Sequence, residues 1–226
     1  LNSIKKYQYA IECYDRGLKI EPNDLLLLRN KANTLDDLEK YDEAVVCYDR
    51  CLKIEPNDFI SLKRKGRSLH DLEKYDEAVV CYDKALEIKP KNKNLLFFKG
   101  NSMSEQKKDE ESIKCYDKVL SIDPKHVGAL NNKGNALSRL KKHQESIECY
   151  DKAIQIDPKY TKAQNNKADS LADLRKHEES IVCYDKSLEI DPKNVYALHG
   201  KGRTLIEQKK YEESIVCYDK VLKIKP

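Results

Sequence analysis

The chain has 226 residues, of which 36% are charged and 39% apolar, and 43 lysines and arginines stand against 39 acids for a formal charge of +4. So small and interspersed an excess argues against a nucleic-acid or membrane-surface partner, and no apolar run reaches the ~18 residues that spanning a bilayer requires. Eight cysteines without a leader-like opening segment suggest a reducing, cytoplasmic setting.

The elements repeat. Pro22, Pro56, Pro90, Pro124, Pro158, Pro192 and Pro226 follow one another at intervals of 34, and each has a Cys-Tyr-Asp triplet upstream, centred on Tyr14, Tyr48, Tyr82, Tyr116, Tyr150, Tyr184 and Tyr218. A fixed period of this size is the signature of stacked repeats rather than one core. Residues 1–24 hold the end of a first helix and one whole second helix. Complete units follow at 25–58, 59–92, 93–126, 127–160 and 161–194, with 195–226 nearly complete.

In the unit 25–58, Leu28, Ala32, Leu35 and Leu38 trace one amphipathic helix, and Ala44, Val45, Tyr48, Cys51, Leu52 and Ile54 a second. A polar turn at Glu39-Lys40 separates them. Proline lacks an amide donor and restricts its predecessor, so Pro56 ends the pair. Each unit therefore reads as two antiparallel helices of about 14 residues. Ala32, Gly66, Gly100, Gly134, Ala168 and Gly202 are small where the paired helix must approach, although a helical glycine costs about 1 kcal/mol.

Equivalent cysteines are a repeat apart, roughly two helix diameters of 10–12 Å, whereas a disulfide needs Cα atoms within about 7 Å. The triplet cysteines read as small buried hydrophobes. Cys47 and Cys51, one turn apart, could offer two metal ligands, but no further Cys or His has zinc-site spacing, and neither metal nor cofactor is expected. His143 and His177 replace the turn aromatic seen as Tyr41, Tyr75 and Tyr211. No phosphate loop, nucleophile elbow or catalytic carboxylate pair is recognisable, so the chain is not read as an enzyme. Lys31, Lys65, Lys99, Lys133, Lys167 and Lys201 recur in every first helix, and the aspartate of the preceding triplet is an available partner, for instance Asp49 for Lys65.

This pattern resembles the tetratricopeptide repeat over essentially the whole chain, and the unbroken period disfavours the pentatricopeptide RNA readers. It departs in the usual tryptophan, replaced by Leu28, Leu62, Leu96, Leu130, Gln164 and Leu198. The resemblance implies an all-α, right-handed solenoid and a protein-interaction scaffold whose first helices line a concave groove for an extended peptide or helix. The groove residues singled out are Arg29, Asn33, Lys63, Arg67, Asn101, Asn131, Asn132, Asn135, Lys162, Asn165, Asn166 and Arg203. The asparagine amides could hold a peptide main chain whatever its side chains, while Arg67, Lys162 and Arg203 would favour acidic groups. The carboxylate clamp of chaperone-binding relatives is matched only at Asn101, Asn132 and Lys162, with Phe97 and Asn166 in place of the first Lys and the last Arg. The asparagine ladder of the O-linked N-acetylglucosamine transferase is matched at Asn30, Asn132 and Asn166 and broken by Arg64, Phe98 and Gly200. Ile215, Tyr218 and Leu222 have no following unit to cover them, so self-association through the terminal repeats is the structural alternative. A targeting arm of a larger enzyme is another.

Overall fold

A computed structural model describes residues 2–224, the first three of these by backbone alone. Pro226, the expected stop of the last helix, lies outside the described residues. The described residues form α1 (Asn2–Ile20), α2 (Leu25–Asp37), α3 (Tyr41–Ile54), α4 (Phe59–Asp71), α5 (Tyr75–Ile88), α6 (Lys93–Glu105) and α7 (Asp109–Ile122). They continue as α8 (Val127–Arg139), α9 (His143–Ile156), α10 (Thr161–Asp173), α11 (His177–Ile190), α12 (Val195–Glu207) and α13 (Tyr211–Ile224). The fold is all-α, a succession of helix pairs, gathered into two compact units that divide between Cys115 and Tyr116.

Local chemistry places the boundaries. Asp24, Asp58, Asn92 and Asn194 each accept the amide three residues on, at 2.9–3.2 Å, capping a first helix. His126 does the same through Nδ1. The second helices α3, α5, α9 and α11 lack a side-chain cap, but acids such as Asp42 and Glu43 occupy their first turn, where the helix dipole favours negative charge. The second helices α3, α5, α9 and α11 end two residues before their proline.

The turn inside each pair has one conformation. The Glu39 amide donates to Asp36 O and the Lys40 amide to Leu35 O, the two bonds of a Schellman motif. Glu39, Glu73, Lys107, Lys141, Arg175 and Lys209 all have φ near +60°, a place usually given to glycine. Lys5 holds the same position in the first repeat, yet α1 runs straight through it. Sequence periodicity placed a break there. No described helix folds back on that stretch to offset the cost of a left-handed residue, so the continuous ladder wins.

Burial follows the repeat. Tyr48, Tyr82, Tyr150 and Tyr184 are almost wholly enclosed. The small first-helix residue explains how: a Cβ on Gly66 would come within 2.6 Å of the Tyr82 ring, and one on Gly134 within 2.4 Å of Tyr150. At these two positions absence of a side chain is what admits the ring, and enclosing a large side chain contributes about 1.5–3 kcal/mol. Cys47, Cys81, Cys149, Cys183 and Cys217 line the same core as free thiols, while Cys13 is half-buried. On α13, Ile215 and Leu222 are exposed, as expected, whereas Tyr218 is half-buried.

The lysine row pairs with the aspartate row throughout. Lys31–Asp15, Lys65–Asp49, Lys133–Asp117, Lys167–Asp151 and Lys201–Asp185 stand at 2.5–2.6 Å, and Lys99 meets Asp83 in the same way. Each pair joins the second helix of one repeat to the first helix of the next.

Candidate functional site

In the unit 116–226, α8 presents Asn131, Asn132 and Asn135 on one face, at i, i+1 and i+4. From α10 come Lys162, Asn165 and Asn166, at i, i+3 and i+4. The two faces meet around a cleft of about 470 Å³ that Tyr160, Thr161, Asn194 and Tyr196 complete. Six of the twelve residues singled out from the sequence therefore share one site.

The asparagines are tied to one another. Asn166 Nδ2 donates to Asn131 Oδ1 at 3.0 Å and to Asn135 Oδ1 at 2.9 Å. Asn131 Nδ2 donates to Asn132 Oδ1, and the Tyr150 hydroxyl to Asn135 Oδ1 at 2.8 Å. Asn131 and Asn165 are 3% and 5% exposed, so they form the floor, and Asn132 and Asn166 are half-buried. On that floor Asn165 Oδ1 is buried without a hydrogen-bond partner, which ordinarily costs about 1–3 kcal/mol. Lys162 is exposed at the rim.

Tyr196 also borders a second cavity of about 410 Å³, lined with Asp169, Val195, His199, Gly200 and Arg203. Asp169 is its hub. Its Oδ1 accepts from the Tyr184 hydroxyl at 2.7 Å and from Arg203 at 2.8 Å, and its Oδ2 from the Tyr196 hydroxyl at 2.5 Å. Burial, followed by the bond to Asp169, pushes the Tyr196 phenol up to about 12. Desolvation opposes the Arg203 charge, but Asp169, Tyr184, Glu207 and Asp173 together hold its pKa above the ordinary value. Gly200 leaves room for the Tyr184 hydroxyl, which would lie 2.5 Å from any Cβ there.

The other predicted residues lie elsewhere. Arg29 pairs with Asp58, the cap of α4, at 3.2 Å. Asn33 accepts the Tyr48 hydroxyl at 2.9 Å. Lys63 is half-buried on α4, and Arg67 stands 3.9 Å from Asp71. Asn101, on α6, belongs to the unit ending at Cys115, whereas Asn132 and Lys162 belong to the other. Among the residues the sequence reading did not single out, Tyr160 left the plainest signal, an aromatic ring where Asp24, Asp58, Asn92, His126 and Asn194 cap. Asp169 left a signal of position, since it stands at the repeat place of Asn33, Arg67, Asn101, Asn135 and Arg203. Among the described residues no group of three or more His, Cys, Asp or Glu side chains could hold a metal ion, and no helix is long and apolar enough to cross a membrane.

No curated protein sequence matches the chain. Among solved structures, a tetratricopeptide repeat protein from Parabacteroides merdae is similar over 99% of this chain and 89% of its own, with 17% identity and a TM-score of 0.78. YrrB, described as a TPR protein with an unusual peptide-binding site, is 20% identical over 84% of this chain and 98% of its own, with a TM-score of 0.70. MamA from Desulfovibrio magneticus RS-1 is 22% identical over 75% and 96%, with a TM-score of 0.72. The tetratricopeptide-repeat profile matches residues 26–58, 59–92, 94–126, 127–160, 161–194 and 183–216. With helix pairs, turn and period all accounted for, the chain belongs to the tetratricopeptide-repeat family.

Proposed function

We propose that the chain is a non-catalytic interaction scaffold, and that its asparagine cleft holds the main chain of an extended peptide. The observation that carries this reading is Asn165 Oδ1, a buried acceptor without a partner on the floor of the cleft. A peptide N–H would satisfy it once the amide turns this oxygen into the cleft. Amides suit this role because they both donate and accept, and a rigid floor spares the ordering cost of binding. Asn131, Asn135 and Asn166, held by their mutual bonds, would act chiefly as that floor, with Asn132 and Lys162 at its edge. YrrB, whose description names a peptide-binding site, gives the reading a precedent in the same fold. A reducing, cytoplasmic compartment suits triplet cysteines set a full repeat apart.

The test is a panel of fluorescein-labelled decapeptides of varied sequence, titrated by anisotropy against the wild type, Asn165→Ala and Asn132→Ala, with circular dichroism as the folding control. Main-chain recognition predicts that Asn165→Ala weakens every binder about tenfold. Unchanged affinity across the panel would remove the cleft from the reading.

A further inference from the structure

The cavity beside the asparagine cleft has its own chemistry, and Arg203 does not set its charge alone. Arg203 is not an open cation: its guanidinium lies 2.8 Å from Asp169. Glu207 and Asp173 also act on it, and together with Asp169 they set three carboxylates around one guanidinium. His143 Nδ1 stands 3.7 Å from Asp173, and His177 Nδ1 stands 3.6 Å from Glu207. The carboxylates acting on Arg203 thus outnumber it three to one.

Two further features fit a cation. Oδ2 of Asp169 accepts the Tyr196 hydroxyl, and a carboxylate oxygen has room for a second donor. Tyr196 itself is 56% exposed, and an aromatic ring at such a site can receive a guanidinium or ammonium, a contact worth about 0.5–1 kcal/mol. A carboxylate entering the same cavity would have to displace Asp169 from Arg203 and Tyr196.

Resting on the peptide reading above, we infer that the cavity lined by Asp169, Tyr196, His199 and Arg203 receives a basic side chain of the bound peptide, arginine or lysine. Tyr196, which lines both cavities, separates the main-chain cleft from this side-chain subsite. Asp169 is then the residue that sets specificity, and Glu207 supports it through its field.

The experiment uses fluorescein-labelled decapeptide pools in which one central position is fixed as Arg, Gln, Glu or Phe and the rest are mixtures of Gly, Ala, Ser and Leu. The Arg pool should bind the full chain at least about tenfold more tightly than the Glu pool. Asp169→Asn should reduce that ratio to about one. Glu207→Gln, which leaves the Asp169 hydrogen bonds in place, should reduce it about two- to threefold and keeps the test open should Asp169→Asn fail to fold. Pools that bind with Glu or Phe equal to or ahead of Arg overturn the subsite and leave the main-chain reading standing. Binding by none of the pools overturns both. An Arg preference that persists in folded Asp169→Asn assigns the specificity elsewhere and overturns the inference.

Discussion

Lys65 Nζ lies 2.5 Å from Asp49 Oδ1, sixteen residues earlier and in the preceding repeat. Burial by itself would lower the Lys65 pKa, but the bond to Asp49 and the charges around it hold the ammonium above its ordinary value. The lysine is 18% exposed and the aspartate 47%, so the stem covers apolar surface while solvent reaches the pair. Such a bridge contributes modestly. Its repetition at every interface from Asp15–Lys31 to Asp185–Lys201 matters more, because repeat stability is a sum of neighbour terms.

Lys65→Met keeps most of the stem and removes the charge. We expect a double-mutant cycle with Asp49→Asn to return a coupling of about 0.5–1 kcal/mol by urea denaturation. The coupling should shrink in ~1 M salt, where the screening length falls to about 3 Å. A coupling insensitive to salt would mean that packing, not charge, links the two positions.

The left-handed turn residues offer the opposite outcome, a gain. Lys141 holds φ at 62°, which costs a side-chain-bearing residue about 1–2 kcal/mol. Glycine pays no such strain but loses more backbone entropy on folding. Lys141→Gly should therefore stabilise by about 0.5–1 kcal/mol, with the same sign for Glu73→Gly. The midpoint of thermal unfolding by circular dichroism reads the change, and a lower midpoint would contradict the strain argument.

Alkaline pH should destabilise the fold. Burial, the largest cause, raises the pKa of Cys47, Cys81, Cys149, Cys183 and Cys217, and likewise that of Tyr48, Tyr82, Tyr150 and Tyr184. The unfolded chain releases these protons first. Their stabilising effect is thus complete below the ordinary thiol value of about 8.5 and is lost as pH rises towards the folded values, the phenols adding to the loss above about 10. Urea midpoints from pH 7 to 11 should stay level and then fall. Below pH 8 the buried thiols should also react slowly with a disulfide reagent, with Cys13 the fastest.

Much of this architecture is legible because its causes are local. Pro56 and the cap Asp58 terminate and restart helices by bonds within a few residues, and the Lys65–Asp49 pair follows from one fixed offset. Lys5 shows the limit. Its sequence matches the turn at Glu39, but the left-handed conformation needs a helix packed back across it.

The candidate site was legible by membership rather than by state. Helical spacing places Asn131, Asn132, Asn135, Asn165 and Asn166 on neighbouring faces, and repetition aligns those faces. Which amides are spent on each other and which acceptor is left over depends on side chains 31 to 35 residues apart, as between Asn166 and both Asn135 and Asn131.

By itself, then, the sequence determined the helix pairs, their boundaries, the buried tyrosine and cysteine rows and the lysine–aspartate ladder, all set by short-range bonds and a constant period. Only the tertiary structure decided that Asn165 keeps an unsatisfied acceptor and that Arg203 is answered by Asp169. The reason is physical: hydrogen-bond satisfaction and local field are properties of a neighbourhood assembled from several repeats, and residues such as Asp169, Tyr196 and Gly200 depart from the repeat where that neighbourhood forms.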